Sequence, residues 1–285
     1  MRWLIHVTPW EKVSTWRRLL CAFGRVAALI ALLTVLQTLF GPPIAMFFAA
    51  RWEGRKVPAV KVTPQPLMDY SVSDAPGREL SYFGYSFQVP WSAGFKTKEP
   101  QSHPVESGWV KLTFESGQDL FLVVPAAENQ KGILSELVQD QSLRMNNLRF
   151  VFADLMDRSA YDQVSAVLNT TPSTIRAFGP RAEATRAVTL LTVKAIAFPL
   201  GLGTGAFSFD FPDKRGFQIG DPQKSKSVQL EVFDLSGHNV EVICATNKDS
   251  LRLTQAELNR ILKTLHTVPL DSLSVQATRE NAPPN

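Results

Sequence analysis

The chain has 285 residues, 45% apolar and 20% charged, with a formal net charge of +4. That composition excludes a disordered or fibrous chain and allows one or two domains. Residues 1–61 hold nine Lys/Arg and two Asp/Glu, while residues 62–285 hold 21 and 24. The basic excess thus flanks an apolar segment, which marks membrane topology and excludes a nucleic-acid footprint.

Residues 1–18 read as a juxtamembrane segment, with Trp3, Trp10 and Trp16 suited to the headgroup zone. Leu19–Phe40 is unbroken over 22 positions, with Arg25 as its only charge. At ~1.5 Å per residue such a helix covers the hydrocarbon core. Val26–Ala50 carries no charge in 25 positions but contains Gly41-Pro42-Pro43. Proline lacks the amide hydrogen a helix needs, so a stop or kink is expected there. Residues 19–50 are therefore assigned to a single transmembrane anchor, with Ile44–Ala50 at the far interface and Trp52 just beyond.

Signal cleavage is not expected, because Phe47 or Phe48 would stand where a small residue is needed. Cys21 lacks the lipoprotein context, since Leu20 precedes it and Arg17-Arg18 interrupt the apolar run. Five basic residues precede the end of the span and four follow it. Positive residues favour the cytoplasmic side, so residues 51–285 are expected outside the cytoplasm.

Residues 51–79, with Pro58, Pro64, Pro66 and Pro76, read as a linker. An α+β domain is expected over residues 80–268, with an antiparallel sheet and helices packed on it as an α-β-α sandwich. In Tyr82–Val89, alternating Phe83, Tyr85, Phe87 and Val89 predict one strand, ended by Pro90. Val110, Leu112 and Phe114, then Leu120, Leu122 and Val124, predict a hairpin around Ser116-Gly117-Gln118. The period turns helical over residues 131–157 and 160–168, and Thr171-Pro172-Ser173 suits a short turn. Ala182–Phe198 carries Val188, Leu191, Ala195 and Phe198 on one expected stripe.

Strands return at Phe207, Phe209 and Phe211, and a short piece at Phe217 and Ile219 follows. Val228–Val232 and Val240–Cys244 predict a hairpin turning at Ser236-Gly237. Thr254 and Glu257 form a capping box for a last helix, with Leu253 and Leu258 as its staple. Its buried stripe is Leu258, Ile261, Leu262 and Leu265, and residues 269–285 read as a disordered tail.

No chemistry is assigned from motifs. His6, His103, His238 and His266 are far apart, and no Cys or His pair has metal-ligand spacing. No G-x-S-x-G elbow is present, and Cys244 falls on the apolar face of a strand. Carboxylate pairs such as Asp154 with Asp157, or Asp210 with Asp213, read as solvated faces. Gly201-Leu202-Gly203-Thr204-Gly205 follows a helix and leads into a strand, the reverse of a phosphate loop. Asn169-Thr170-Thr171 matches a glycosylation acceptor by pattern only. No catalytic, cofactor-binding or metal-ligating residue and no cofactor is therefore expected.

Tyr85-Ser86-Phe87-Gln88-Val89-Pro90-Trp91 resembles the opening strand of PsbP-like domains. The later strands, Gly216-Phe217 and the closing helix Thr254–Leu265 are similar in order. Over residues 80–268 the resemblance implies an α-β-α sandwich serving as a non-enzymatic binding or assembly module. The leading expectation is a membrane-anchored, non-catalytic module with the lipid bilayer and a protein partner as its associates. The alternatives are a membrane-anchored hydrolase using scattered residues such as His103 or His238, and a small-molecule or lipid carrier with a cavity between sheet and helices.

Overall fold

Period-two patterning gives each strand one apolar face, and the two sheets of the protein are built by burying those faces together. The computed structural model describes residues 41–52, 54–55, 57–91, 94–96, 107–126, 132–134, 148–198 and 201–268. The fold is α+β. The strands are β1 (Gln65–Pro66), β2 (Arg78–Tyr82), β3 (Tyr85–Val89), β4 (Gly108–Thr113), β5 (Gln118–Val124), β6 (Ala206–Asp210), β7 (Lys214–Ile219), β8 (Ser227–Asp234), β9 (Asn239–Thr246) and β10 (His266–Thr267). Besides the helical residues 41–52, the described helices are α1 (Leu148–Met156), α2 (Ala160–Asn169), α3 (Arg181–Ala197) and α4 (Gln255–Thr264).

The larger sheet has seven strands in the order β1-β6-β7-β8-β9-β5-β4, and the smaller has three in the order β10-β3-β2. All neighbours are antiparallel except β1, which lies parallel to β6. The large sheet is therefore mixed. One of its faces packs against β2, β3 and α4 through Leu112, Leu122, Leu230, Val242, Phe87, Ile261 and Leu262. The other packs against the helical layer through Phe217, Ile219 and Phe233, which meet Phe152, Val164, Val167 and Val193. Gly216 is required by close approach, because a Cβ there would fall 1.9 Å from Glu231 O on β8.

Several expectations change. The alternation in Tyr82–Val89 is not one strand. The chain turns at Phe83 and Gly84, both at positive φ (54° and 77°), so β2 and β3 form a hairpin. Glycine accepts that backbone freely, which makes Gly84 a turn residue. Phe217 and Ile219 belong to a full six-residue strand. On α3, Ala195 is exposed, while Leu190, Leu191, Val193 and Lys194 are buried. The helix has partners on two sides, so no single stripe describes it.

Residues 41–52 are helical, Gly41, Pro42 and Pro43 included, so no stop separates Ile44–Ala50 from the triplet. One side of this neck helix packs on the folded domain. Pro43, Ala50 and Gly54 are buried at helical spacing, and Met46 and Phe47 pack with Val60, Ile175, Ala184 and Leu191. No helix among the described residues is long and apolar enough to cross a membrane. The expected span Leu19–Phe40 and the expected tail 269–285 lie outside the described residues.

The stretch read as a linker lies along the domain. Pro58–Lys61 forms a 3-10 turn, β1 extends the large sheet, and Leu67 is buried. Side chains of α4 then hold it. Asn259 Nδ2 donates to Asp69 O (2.9 Å) and Ser71 O (2.7 Å), and Lys263 Nζ donates to Tyr70 O (2.8 Å). Proline content marked a non-helical path here, but the backbone carbonyls of that path have side-chain partners. The capping box that starts α4 is present, with Thr254 Oγ1 accepting from Glu257 N and Glu257 accepting from Thr254 N.

Lys194 lies at the centre of the helical layer with no exposure. Its Nζ donates to Val62 O (2.6 Å), Leu168 O (2.6 Å) and Thr170 O (2.9 Å). One ammonium thus joins α3, the end of α2 and the strapped segment. Burial lowers its pKa from the ordinary 10.5 to about 8.

Candidate functional site

Strand register assembles a row of side chains on the helix-facing side of the large sheet. Trp109, Val123, Glu241, Glu231 and Phe217 are successive cross-strand partners on β4, β5, β9, β8 and β7. The row runs from Trp109, 73% exposed, to Phe217, 2% exposed. At its Phe217 end the helices cover the sheet, and Tyr161 stacks on Phe217 with ring centroids 5.0 Å apart. At its Trp109 end the face is open, and Lys111 Nζ lies 4.9 Å from the Phe121 ring.

Between these ends is a cavity of about 410 Å³. Val123, Pro125, Ile133, Val164, Ala197 and Phe198 give it apolar walls, and Gln229, Glu231, Asn239 and Glu241 give it a polar floor. Glu231 is buried and accepts from Gln229 Nε2 (2.8 Å) and Asn239 Nδ2 (3.4 Å). Glu241 is its direct cross-strand partner. Asn239 Oδ1 is buried and accepts no hydrogen bond from the described residues. A buried acceptor left so costs about 1–3 kcal/mol.

The rim beside α2 is held by Gln163, which is fully buried. Its Oε1 accepts from Leu134 N (3.1 Å) and its Nε2 donates to Arg158 O (3.2 Å). Gly132 has φ of 102°, and a Cβ there would come within 2.5 Å of the Gln163 amide. Helix α2 is itself started by Ser159, whose side chain accepts from Asp162 N (3.2 Å). The arrangement can bind, with apolar walls and acceptors below. Among the described residues that line it there is no Ser, Thr, Cys or Lys.

A second hollow of about 120 Å³ involves Tyr85, Lys214, Asp234, His238 and His266. His238 Nδ1 lies 3.1 Å from Asp234 Oδ2, and Asp234 Oδ1 accepts from His238 N (2.9 Å). Both contacts stay within the β8–β9 turn, and the imidazole is half-exposed. Burial, followed by the charge of Asp234, pushes the Tyr85 phenol up to about 12, so it remains neutral. Lys214 Nζ, almost fully buried, donates to Leu265 O and pairs with Asp213 (2.8 Å). The hollow is shallow, and the charged groups in it already serve the fold.

The other singled-out residues are scattered. His6, His103 and Cys21 lie outside the described residues. His266 Nδ1 contacts Thr264 O (2.7 Å) just past α4. Cys244 is fully buried; burial, and then the charge of Glu257, pushes its thiol well up. Asp154 pairs with Arg186 (2.8 Å) and not with Asp157. The glycine cluster at 201–205 forms a 3-10 turn between α3 and β6, where Thr204 Oγ1 accepts from Asp221 N (3.0 Å). Asn169 Nδ2 is held by Ser165 O (2.9 Å). Among the described residues no three His, Cys, Asp or Glu side chains are grouped to hold a metal ion.

Gln229, Glu231, Asn239 and Glu241 were missed because they alternate with Val228, Leu230, Val232, Val240 and Val242. That alternation is the ordinary mark of a solvated face. The available signal was β7, where Phe217 and Ile219, beyond Arg215 on the same face, are apolar. A face polar on one strand and apolar on the next is covered over only part of its width. No family model, curated protein or solved structure matches this chain.

Proposed function

We propose that the chain is a membrane-tethered, non-catalytic binding module, and that the cavity over β5, β8 and β9 receives a segment of a protein partner. The observation that carries this reading is the pairing of apolar walls with an acceptor-rich floor that includes the unsatisfied Asn239 Oδ1. A peptide supplies both complements, an apolar side chain for the walls and N–H donors for the floor. The open face around Trp109 continues the seat outward, and exposed tryptophan suits an interface anchor. The tether is the apolar run Leu19–Phe40, which immediately precedes the neck helix. A PsbP-like assembly class and an α-β-α layering agree with this reading, and so does an outward-facing domain.

The test is recovery of a partner from detergent-solubilised membranes by the full chain, compared with Val123→Trp. Tryptophan at 123 fills the cavity from its wall. We expect a specific protein with the wild type, lost by at least tenfold with Val123→Trp at unchanged thermal midpoint. Recovery of no specific protein, or equal recovery by both chains, overturns the reading. Loss of a bound small molecule upon filling the cavity, with protein recovery unchanged, would favour the carrier alternative.

A further inference from the structure

A surface loop stands where the bilayer surface would be. Residues 175–180 connect the turn Pro172–Thr174 to α3. Within it Arg176 is exposed, Phe178 is 75% exposed, and Arg181 at the start of α3 is exposed. A large aromatic held at a loop tip between two arginines is unusual for a face turned to water.

Its height follows from the chain beside it. The segment from the neck helix to Val62 tracks α3 in the same direction. Thr185 Oγ1 meets Met46 Sδ at 3.9 Å, and further along Lys194 Nζ donates to Val62 O at 2.6 Å. Going back four residues from this first contact leads to Arg181 on α3 and to Pro42 on the neck, roughly 6 Å in each helix at ~1.5 Å per residue. Phe178 therefore lies level with the start of the neck helix at Gly41, the residue that follows the apolar run in the sequence.

The neck helix adds a second element. Its domain side is Pro43, Met46, Phe47 and Ala50, while Phe48 (65% exposed) and Trp52 (59% exposed) share the outer side, four residues apart. Arg51 is exposed on the same helix and Arg55 is exposed just beyond it, and Arg51 also lies over the Phe47 ring at 4.3 Å. Aromatic side chains beside arginines at the end of an apolar span suit the headgroup layer, where rings are half-desolvated and guanidinium groups meet phosphates.

We propose that the Arg176–Arg181 loop and the outer face of the neck helix dock the domain onto an anionic lipid surface. The docking fixes the domain's orientation against the bilayer in a way that a flexible linker would not. It rests on the reading of Leu19–Phe40 as a bilayer span.

The experiment uses the full chain with Cys21→Ser, in nanodiscs of phosphatidylcholine with a quarter phosphatidylglycerol. A bimane label is placed at Phe178→Cys, or at Leu235→Cys as a control on the β8–β9 turn, which is 78% exposed. Cys244 is buried and stays unlabelled. Quenching by nitroxide-bearing lipid is read at both positions. We expect at least fivefold stronger quenching at 178 than at 235, and loss of that excess in the Arg176→Glu, Arg181→Glu double variant. Equal quenching at 178 and 235 overturns the docking while leaving the tether intact. An excess that survives charge reversal, or is the same in pure phosphatidylcholine, overturns the anionic-lipid assignment. Failure of the chain to incorporate into nanodiscs overturns tether and docking together.

Discussion

The two faces of the large sheet are built from the same strands and end up with opposite characters. Toward β2, β3 and α4, the inward side chains are apolar and closed off, with Leu120, Leu122, Val228, Leu230 and Val242 at zero exposure. Toward the helical layer, Phe217 and Ile219 are as dry, yet Gln229, Glu231, Asn239 and Glu241 share that face. On the first face, burial of apolar area supplies stability. On the second, polar groups are kept by hydrogen bonds, and one acceptor lacks a bond among the described residues. The difference separates a face that holds the fold from a face that can accept something else.

The largest effect is expected on the sealed face. Phe87 is fully buried there. Phe87→Ala should lower unfolding free energy by about 3–5 kcal/mol in denaturant titration, while the folded fraction keeps its partner. Loss of partner recovery from still-folded protein would blur the division between the faces.

Next is Lys194→Met, which keeps the volume and leaves Val62, Leu168 and Thr170 carbonyls without their donor. A cost of about 2–4 kcal/mol is expected. Its pH dependence sharpens the comparison. The folded pKa is about 8 against an ordinary 10.5, so the unfolded chain holds more protons between these values. Stability from this group therefore rises with pH across that window, by about 1–3 kcal/mol relative to Lys194→Met. Tyr85 and Cys244, both pushed up, contribute the opposite slope at high pH, and the difference between the two chains cancels them. A flat difference from pH 8 to 10.5 would remove Lys194 as a titrating clasp.

Thr254→Ala removes one half of the capping box of α4. It should cost about 1 kcal/mol in the same titration, with the cavity unaffected. The smallest stability effect belongs to Asn239→Leu. It deletes a hydrogen bond to Glu231 and an orphaned acceptor together, so the net change should stay within about 1 kcal/mol. Partner recovery should nevertheless fall, and an unchanged recovery would take Asn239 out of the seat.

The strands with clean alternation, β4, β5, β6, β8 and β9, were legible from period alone, as was α4 from its caps. The β2–β3 hairpin was hidden because Phe83 continues the alternation through a tight turn that Gly84 permits. The strapped segment 57–76 was hidden for another reason. Its partners are Asn259, Arg260 and Lys263, about 190 positions away, and no local pattern announces them. Asn259 itself interrupts the apolar stripe of α4 and is fully buried, which is the trace the strap leaves. The cavity floor was illegible because Glu231 and Glu241 look the same under helices as under water. Lys194 was invisible within the helical period, since a lone lysine is ordinarily a surface residue.

The strap also determines how the domain responds to being pulled. If the chain is tugged at residue 41, tension does not pass straight to the sheet. It first meets the neck helix sliding along α3, then the Lys194 ammonium gripping Val62 O, then the short parallel register of β1 on β6. Beyond that it reaches the carbonyls of Asp69, Ser71 and Ser73 held by α4. These attachments lie in series on both sides of the large sheet, so each must yield before the next is strained. The amino-terminal stretch thus forms a sequence of mechanical fuses, and force applied at residue 41 is spent on them before it disturbs the cavity.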